Sequence, residues 1–277
     1  AGDIATVLTI RELLKQDTHE LPPGLQLHSD YIPPVKPIPF SRYYDPEFAK
    51  LETEKLWRRT WQYVCRTEDI PKVGDRVPYT VGSDISYFIV RSGENEFHAF
   101  NNACLHRGTR LVNAPSSGKF IRCPFHAWEW KSDGSLHNIP SSWDFVGVDA
   151  DKYHLPEAKL AVWEGFIFIN PDPKAPPLEQ FLGVLPEAFR NRGYSDRFTF
   201  AHVSKKIRAN WKILQEAFLE SYHVVETHAD SLPFTGDAST KYDIWEDGDG
   251  HTSRLITPIA VPSPHLGDTA SQLDAVE

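Results

Sequence analysis

Two short runs constrain this chain more than any other feature. Cys104-Leu105-His106 and Cys123-Pro124-Phe125-His126 each set one cysteine beside one histidine, with sixteen residues between the runs. Each run mixes a thiolate donor with an imidazole donor and sits among short apolar segments of strand type. Two such loops facing each other supply four ligands to one small inorganic centre. A structural zinc site accepts the same donors, but zinc fingers usually pair Cys with Cys and His with His along the sequence. A [2Fe–2S] cluster with both cysteines on one iron and both histidines on the other needs the mixture, because each loop then reaches both metals. Ordinary buried cysteines and satisfied histidines are the third reading. The flanking His106-Arg107-Gly108 and Cys123-Pro124, which suit tight turns, weigh against it.

The 277 residues are 40% hydrophobic and 24% charged, enough for one large domain or two of ordinary size. A net charge of -9 speaks against gripping nucleic-acid phosphates. No apolar run is long enough to span a bilayer, and no N-terminal signal peptide is read. Three cysteines make no disulfide framework, so a cytoplasmic setting is expected. Cys65 lies outside the paired runs and reads as a buried, inert thiol. No methionine occurs anywhere in the chain. Dropped methionines would distort motif spacing, so each spacing is weighed on its own.

Periodicity sketches the organisation. Residues 3–16 carry a loose helical stripe, followed by a proline-rich arm from Pro22 to Pro39. Phe48, Leu51, Leu56 and Trp57 recur at helix spacing. Short strands with Gly- and Asp-rich turns fill residues 70–100, continue over residues 127–130, and close at Phe166-Ile167-Phe168-Ile169. Residues 171–177 read as a linker. Beyond it, residues 198–207 read as a strand and residues 211–225 as a helix. Two more strands, Tyr242 to Trp245 and Ser253 to Val261, are joined through the Asp249-Gly250 turn. The pattern is a mostly β module followed by the start of an α+β module.

The helical stretch carries the second constellation, Glu220-Ser221-Tyr222-His223 followed by Thr227-His228. Glu220 and His223, three apart, share a helix face. His228 lies five residues on, about 140° round an ideal helix, so it joins the same metal only if the helix bends or ends between them. Two histidines and a carboxylate on one side of a non-haem Fe(II) leave the other side open for dioxygen and substrate. A surface helix with two unrelated histidines is the alternative. Asp230, Asp237 and Asp243 are further carboxylates, read as loop or capping residues, and the remaining histidines have no partner at ligand spacing.

Cys-Leu-His-Arg-Gly-Thr-Arg-Leu and Cys-Pro-Phe-His-Ala-Trp resemble the Rieske family in its oxygenase branch, with Ala127 where a glycine commonly follows the second histidine. The run from Asn210 to His228 resembles the mononuclear-iron helix of Rieske non-haem iron oxygenases, the terminal alpha subunits of aromatic-ring-hydroxylating dioxygenases. Both motifs keep family-like spacing. The resemblance extends over most of the chain, from Tyr44-Asp45-Pro46 to Pro262-Ser263-Pro264-His265.

That resemblance implies an α+β protein in which an all-β Rieske [2Fe–2S] domain is inserted into a helix-grip catalytic domain. Residues 1–58 would be a helix and arm of the catalytic domain, 59–172 the Rieske domain, and 173–277 the mononuclear-iron domain, incomplete at its C-terminus. Cys104, His106, Cys123 and His126 would hold the cluster, and His223 and His228 the mononuclear iron. Glu220 would be the catalytic bridging carboxylate, between the cluster histidine His126 of a neighbouring subunit and His223. Asn210 and Tyr222 would orient the iron helix. The third iron ligand would lie downstream, and none is assigned.

The implied activity is hydroxylation of a small hydrophobic, aromatic or polycyclic substrate with O2. Electrons would come from NAD(P)H through a ferredoxin or flavin reductase to a homotrimer or α3β3 assembly. Glu220 keeps another substrate class open: most ring-hydroxylating members resembled carry Asp there, while some acting on quaternary amines carry Glu. Monooxygenation or demethylation of a quaternary amine or methoxy compound is thus an alternative. A Rieske electron carrier without oxygenase activity, or a zinc-binding structural module, are rivals of other classes.

Overall fold

The computed structural model describes residues 8–82, 84–246 and 252–269. The expectations for residues 3–7 and for the Asp249-Gly250 turn lie outside the described residues. Contacts divide the chain into two units. One comprises Pro46–Leu178 with Gly193–Ala201, the other Ala1–Asp45 with Glu179–Arg192 and His202–Glu277.

The first unit is built from short strands. They are β1 (Gln62–Arg66), β2 (Arg76–Val81), β3 (Ile85–Arg91), β4 (Phe97–Asn101), β5 (Ile121–Arg122), β6 (Glu129–Trp130), β7 (Leu136–Asn138), β8 (Glu157–Trp163) and β9 (Phe166–Asn170). A six-stranded antiparallel sheet runs β1-β9-β8-β4-β3-β2, and β5-β6-β7 form a second sheet. Successive side chains of a strand face opposite ways, so a strand covered on both sides must be apolar without a break. β3 meets that demand over Phe88-Ile89-Val90, all fully buried. Phe88 and Val90 enter a cluster with Phe100, Trp130 and both paired-run cysteines. Ile89 enters a separate cluster with Ile70, Ala99 and Ile167 on the opposite face. The two ligand loops therefore rest on one face of a sheet that is packed from behind.

Residues 171–177 do not form a free linker. Ala175 is buried, and the Trp61 indole donates to the Pro176 carbonyl at 2.9 Å.

In the second unit, the helix Ile10–Gln16 starts at a capping box, with Thr9 accepting from the Glu12 backbone while the Glu12 carboxylate reaches back to Thr9. β10 (Lys241–Trp245) and β11 (Thr252–Ile256) pair as an antiparallel hairpin. Asp243 is fully buried on β10, with Lys241 at 2.6 Å and Arg254 at 2.8 Å. It also accepts the Ser29 backbone N–H at 2.9 Å, and Arg254 donates on to the Leu27 carbonyl at 2.7 Å. This cluster ties the proline-rich arm to the hairpin, so Asp243 is not the loop or capping residue expected.

Burial pushes the Asp243 pKa up, but hydrogen bonds from Lys241, Ser29 and Arg254 outweigh it and hold the carboxyl below its ordinary value. A depressed carboxylate stabilises the fold fully above its unfolded pKa of about 4, and that stabilisation is lost as the pH falls through the lower native value. Asp243→Asn takes the counter-charge from two partly buried cations and is expected to destabilise this unit by about 3 kcal/mol at neutral pH. The gap to wild type should close on acidification below about pH 4, read from urea midpoints.

Several expected elements differ from their predictions. The strand expected over Ser253 to Val261 ends at Ile256. Residues 198–207 form no strand: Thr199 gives its backbone N–H and its hydroxyl to Glu68 at 2.8 and 2.7 Å, and Phe198, Phe200 and Val203 are exposed. β-branched and aromatic content made the prediction, but without a partner strand that preference goes unanswered. The helix over residues 211–225 is interrupted. It runs Trp211–Glu216, breaks through residues 217–223, and resumes as Val224–Thr227.

Candidate metal centres

The two cysteine–histidine loops have the same backbone architecture. The Cys104 carbonyl accepts from Gly108 N–H at 2.8 Å, and Cys104 N–H donates to the Thr109 carbonyl at 2.8 Å. In the second loop the Cys123 carbonyl accepts from Ala127 N–H at 3.0 Å, and Cys123 N–H donates to the Trp128 carbonyl at 2.8 Å. The residue closing each loop has positive φ, Gly108 at 72° and Ala127 at 60°. Residues 127–128 thus belong to the turn, and the expected strand shrinks to Glu129–Trp130. A left-handed alanine carries a steric penalty that glycine escapes. Ala127→Gly is expected to stabilise the unit by about 1 kcal/mol, seen as a higher urea midpoint with an unchanged slope.

These loops bring the four predicted ligands together in pairs. Cys104 and Cys123 are buried free thiols close enough to interact. The rings of His106 and His126 lie 4.6 Å apart, inclined by 64°. The Nδ1 atoms of both rings are buried and have no hydrogen-bond partner among the described residues. Two buried ring nitrogens without partners are rare in a folded interior and are what ligand atoms turned toward a metal require. Trp128 stacks on His106 at 4.9 Å and 2°, fixing its ring plane. Trp128 and Trp130 are interior, so the exposed rim of the site is Leu105 and Phe125.

The local electrostatics suit metal ligation. Burial holds the His106 pKa down, with His126 and Arg107 adding to the effect, which keeps its imidazole neutral. Burial pushes the Cys104 thiol up, Cys123 adds to this, and N–H groups of His106 and Trp130 oppose it. Among the described residues, no three His, Cys, Asp or Glu side chains converge as they would on a single metal ion. The thiols and imidazoles form two pairs, the donor set of a two-iron cluster. Cys65 stands apart in the other core cluster, its thiol pushed up to about 12 by burial and by Asp69.

The second constellation lies where the helix breaks. Asn210 caps Trp211–Glu216, accepting from Lys212 N–H at 3.0 Å, and its amide donates to the Tyr43 carbonyl at 2.9 Å. Glu220 then replaces the helix's own carbonyls. One carboxylate oxygen accepts the His223 backbone N–H at 3.0 Å, and the other pairs with His223 Nδ1 at 2.5 Å. Glu220 and His223 therefore meet through a turn and not along a helix face. The hydrogen bond from the His223 ring is the chief cause holding the Glu220 pKa below its ordinary value. With Nδ1 committed to Glu220, Nε2 is the His223 nitrogen left for a metal.

Ser221 fixes the turn from below. Its backbone N–H donates to the Tyr242 hydroxyl at 2.9 Å, and its side chain donates to the Asp237 carbonyl at 3.1 Å. The helix Val224–Thr227 ends at His228, whose φ of −129° and ψ of 42° leave helical geometry. That end swings the second histidine round, and the two rings sit 5.4 Å apart. The Tyr222 side chain is 85% exposed.

Of the other carboxylates, Asp237 is buried against His265 at 3.1 Å, and Asp230 sits in the turn Ala229–Ser231. Spacing could not reveal the Asp237–His265 pair, whose members are 28 residues apart. A cavity of about 570 Å³ is lined by residues including Ile10, Arg11, Tyr31, Lys241 and Tyr242. It contains none of Glu220, His223 and His228.

Two domain families match the chain. Residues 60–148 match the Rieske [2Fe-2S] domain, and residues 192–275 match the ring hydroxylating alpha subunit (catalytic domain). The chain is 31% identical to the anthranilate 1,2-dioxygenase large subunit of Acinetobacter baylyi, over 67% of this chain and 41% of that protein. It is 30% identical to the carnitine monooxygenase oxygenase subunit of Escherichia coli, over 69% of this chain and 52% of that one.

Among solved structures, a complex of the quaternary ammonium Rieske monooxygenase CntA superposes with a TM-score of 0.64 at 26% identity, covering 70% of this chain and 56% of that one. A naphthalene 1,2-dioxygenase mutant bound to phenanthrene gives 0.62 at 30%, covering 68% and 44%. The chain spans about half the length of the curated relatives it matches. Its domains are those of proteins that carry a [2Fe–2S] cluster and a mononuclear iron. The chain belongs to the Rieske oxygenase family, pairing a Rieske [2Fe–2S] domain with ring-hydroxylating alpha-subunit catalytic sequence.

Proposed function

We propose that the chain is the terminal oxygenase component of a multicomponent system that hydroxylates an aromatic or polycyclic substrate with O2. The observation that carries this reading is the Glu220–His223 pair beside His228, in the same chain as the two-loop cluster site. A cluster site alone would suit an electron carrier, and the carboxylate-oriented histidine pair supports an oxygenase instead. When bound, the cluster would deliver electrons singly and the iron would offer open positions to O2 and substrate.

The chain's own residues have distinct tasks. Cys104, His106, Cys123 and His126 would hold the cluster. Gly108 and Ala127 close the turns that aim them, and Trp128 holds the His106 ring plane. His223 and His228 would hold iron. Glu220 keeps the His223 tautomer fixed by taking its Nδ1 proton in a hydrogen bond. The depressed pKa keeps Glu220 ionised at neutral pH, and a carboxylate has lone pairs for a second donor. In our reading that donor is the ring N–H of His126 from a neighbouring subunit, within a homotrimer or α3β3 assembly. A ferredoxin or flavin reductase would refill the cluster from NAD(P)H. No described helix is long and apolar enough to cross a membrane, and we place the protein in the cytoplasm.

A second reading is monooxygenation of a quaternary amine. Glu at position 220 favours it, as does similarity to the carnitine monooxygenase subunit and to choline monooxygenase of Beta vulgaris. The chain reconstituted with reductase, NADH and 18O2 separates the readings. Label is expected in a hydroxylated aromatic from a hydrocarbon panel. Label in products of carnitine-like amines alone would transfer the assignment to the second reading. NADH oxidation with no labelled product from either panel would overturn both.

A further inference from the structure

The segment that carries Glu220, His223 and His228 is held to its unit at a single buried position. From Ala201 to Ser231 every residue is exposed or half-buried except Ser221, which is 4% exposed. A buried anchor is ordinarily apolar, because hydrocarbon removed from water supplies the holding energy. Here the anchor is a serine, so hydrogen bonds hold it instead. Their protons can be assigned one by one. The Ser221 hydroxyl donates to the Asp237 carbonyl at 3.1 Å, which commits its only proton. The Tyr242 hydroxyl, 3.1 Å from the Ser221 side-chain oxygen, must then donate to it. The same Tyr242 oxygen accepts the Ser221 backbone N–H at 2.9 Å. The bonds run from the Ser221 N–H through Tyr242 and the Ser221 hydroxyl to Asp237, and each donor finds one acceptor.

Tyr242 is itself held in place, because the next residue of β10, Asp243, is fully buried between Lys241 and Arg254. Glu220 precedes Ser221 and His223 follows it by two, so a shift of Ser221 moves the carboxylate that accepts from the His223 ring. We propose that Tyr242 is a positioning residue for the mononuclear iron: its hydroxyl fixes the turn at Ser221 and, through Glu220, the His223 ring that would bind the metal. This rests on the reading of His223 and His228 as iron ligands. Tyr242→Phe keeps the ring but leaves the buried Ser221 N–H without an acceptor, a loss the turn relieves only by rotating toward water. Losing a partner directly behind a metal ligand typically weakens affinity by about 10–100-fold. Tyr242 acts one step further out, so the lower end of that range, about tenfold, is expected.

The test is equilibrium dialysis with Fe(II) of protein stripped of its mononuclear iron, with the visible absorption of the cluster as the control for the other site. Tyr242→Phe is expected to raise the Fe(II) dissociation constant about tenfold and to leave the visible spectrum unchanged. The EPR spectrum of the Fe(II) protein with nitric oxide added should change in rhombicity, a signature of ligand geometry that a loss of stability alone does not move. A lower urea midpoint with unchanged Fe(II) affinity and EPR spectrum would make Tyr242 a packing residue and overturn the proposal. If Tyr242→Phe does not fold, Ser221→Ala removes the hydroxyl that joins Tyr242 to Asp237 and is read in the same way. Weaker Fe(II) binding then supports the proposal and unchanged binding overturns it. A wild type that holds its cluster and takes up no Fe(II) would sink the iron reading itself, and the proposal with it.

Discussion

Glu220→Ala is expected to abolish product formation while the iron–sulfur absorption persists. The carboxylate caps the turn through the His223 backbone and orients the His223 ring through Nδ1. Alanine removes both contacts, and losing such an outer partner typically weakens metal affinity or activity by about 10–100-fold. Glu220→Gln separates the two tasks. Its amide oxygen can still accept from His223 Nδ1, so iron content should stay near wild type, but the negative charge is gone. If Glu220 joins His126 of a neighbouring subunit to His223, the glutamine variant should reduce its cluster normally and yet turn over at least about 100-fold more slowly. Single-turnover kinetics of pre-reduced protein reads this directly. Full activity in both variants would remove Glu220 from the mechanism.

The second large effect concerns the thiols. Cys123→Ala is expected to eliminate the visible absorption and labile sulfide, because one iron loses half of its protein ligands. Cys65→Ala is the contrasting case. Cys65 is buried in the opposite core cluster and its thiol is held near 12, so it stays protonated and takes no metal at neutral pH. That variant should keep the full spectrum and lose about 1 kcal/mol or less of stability, the effect of a small core truncation. A spectrum that survives Cys123→Ala, or vanishes with Cys65→Ala, would reassign the ligand set.

These expectations differ in how far the sequence could carry them. The two-loop site was legible because its information is local: three- and four-residue runs, with a turn residue closing each loop. Even the departure at Ala127 was visible, although its positive φ was not. The iron loop was legible in composition and misread in form. Helical periodicity over residues 211–225 reported the two helical segments, Trp211–Glu216 and Val224–Thr227. It could not show that Glu220 and Tyr242 would claim the backbone N–H groups of His223 and Ser221 and so break the helix. The anchor of the proline-rich arm lay beyond local reading altogether, since Ser29 and Asp243 are 214 residues apart.

The central claim is that this chain holds two different iron sites, a cluster on Cys104, His106, Cys123 and His126 and a single ion on His223 and His228. Metal and acid-labile sulfide analysis of the as-isolated protein, read beside its visible spectrum, tests it most directly. The account predicts a coloured protein with about three irons and about two sulfides per chain, falling to about two irons in a His223→Ala, His228→Ala double variant with the colour retained. A colourless protein carrying zinc and no sulfide would contradict it.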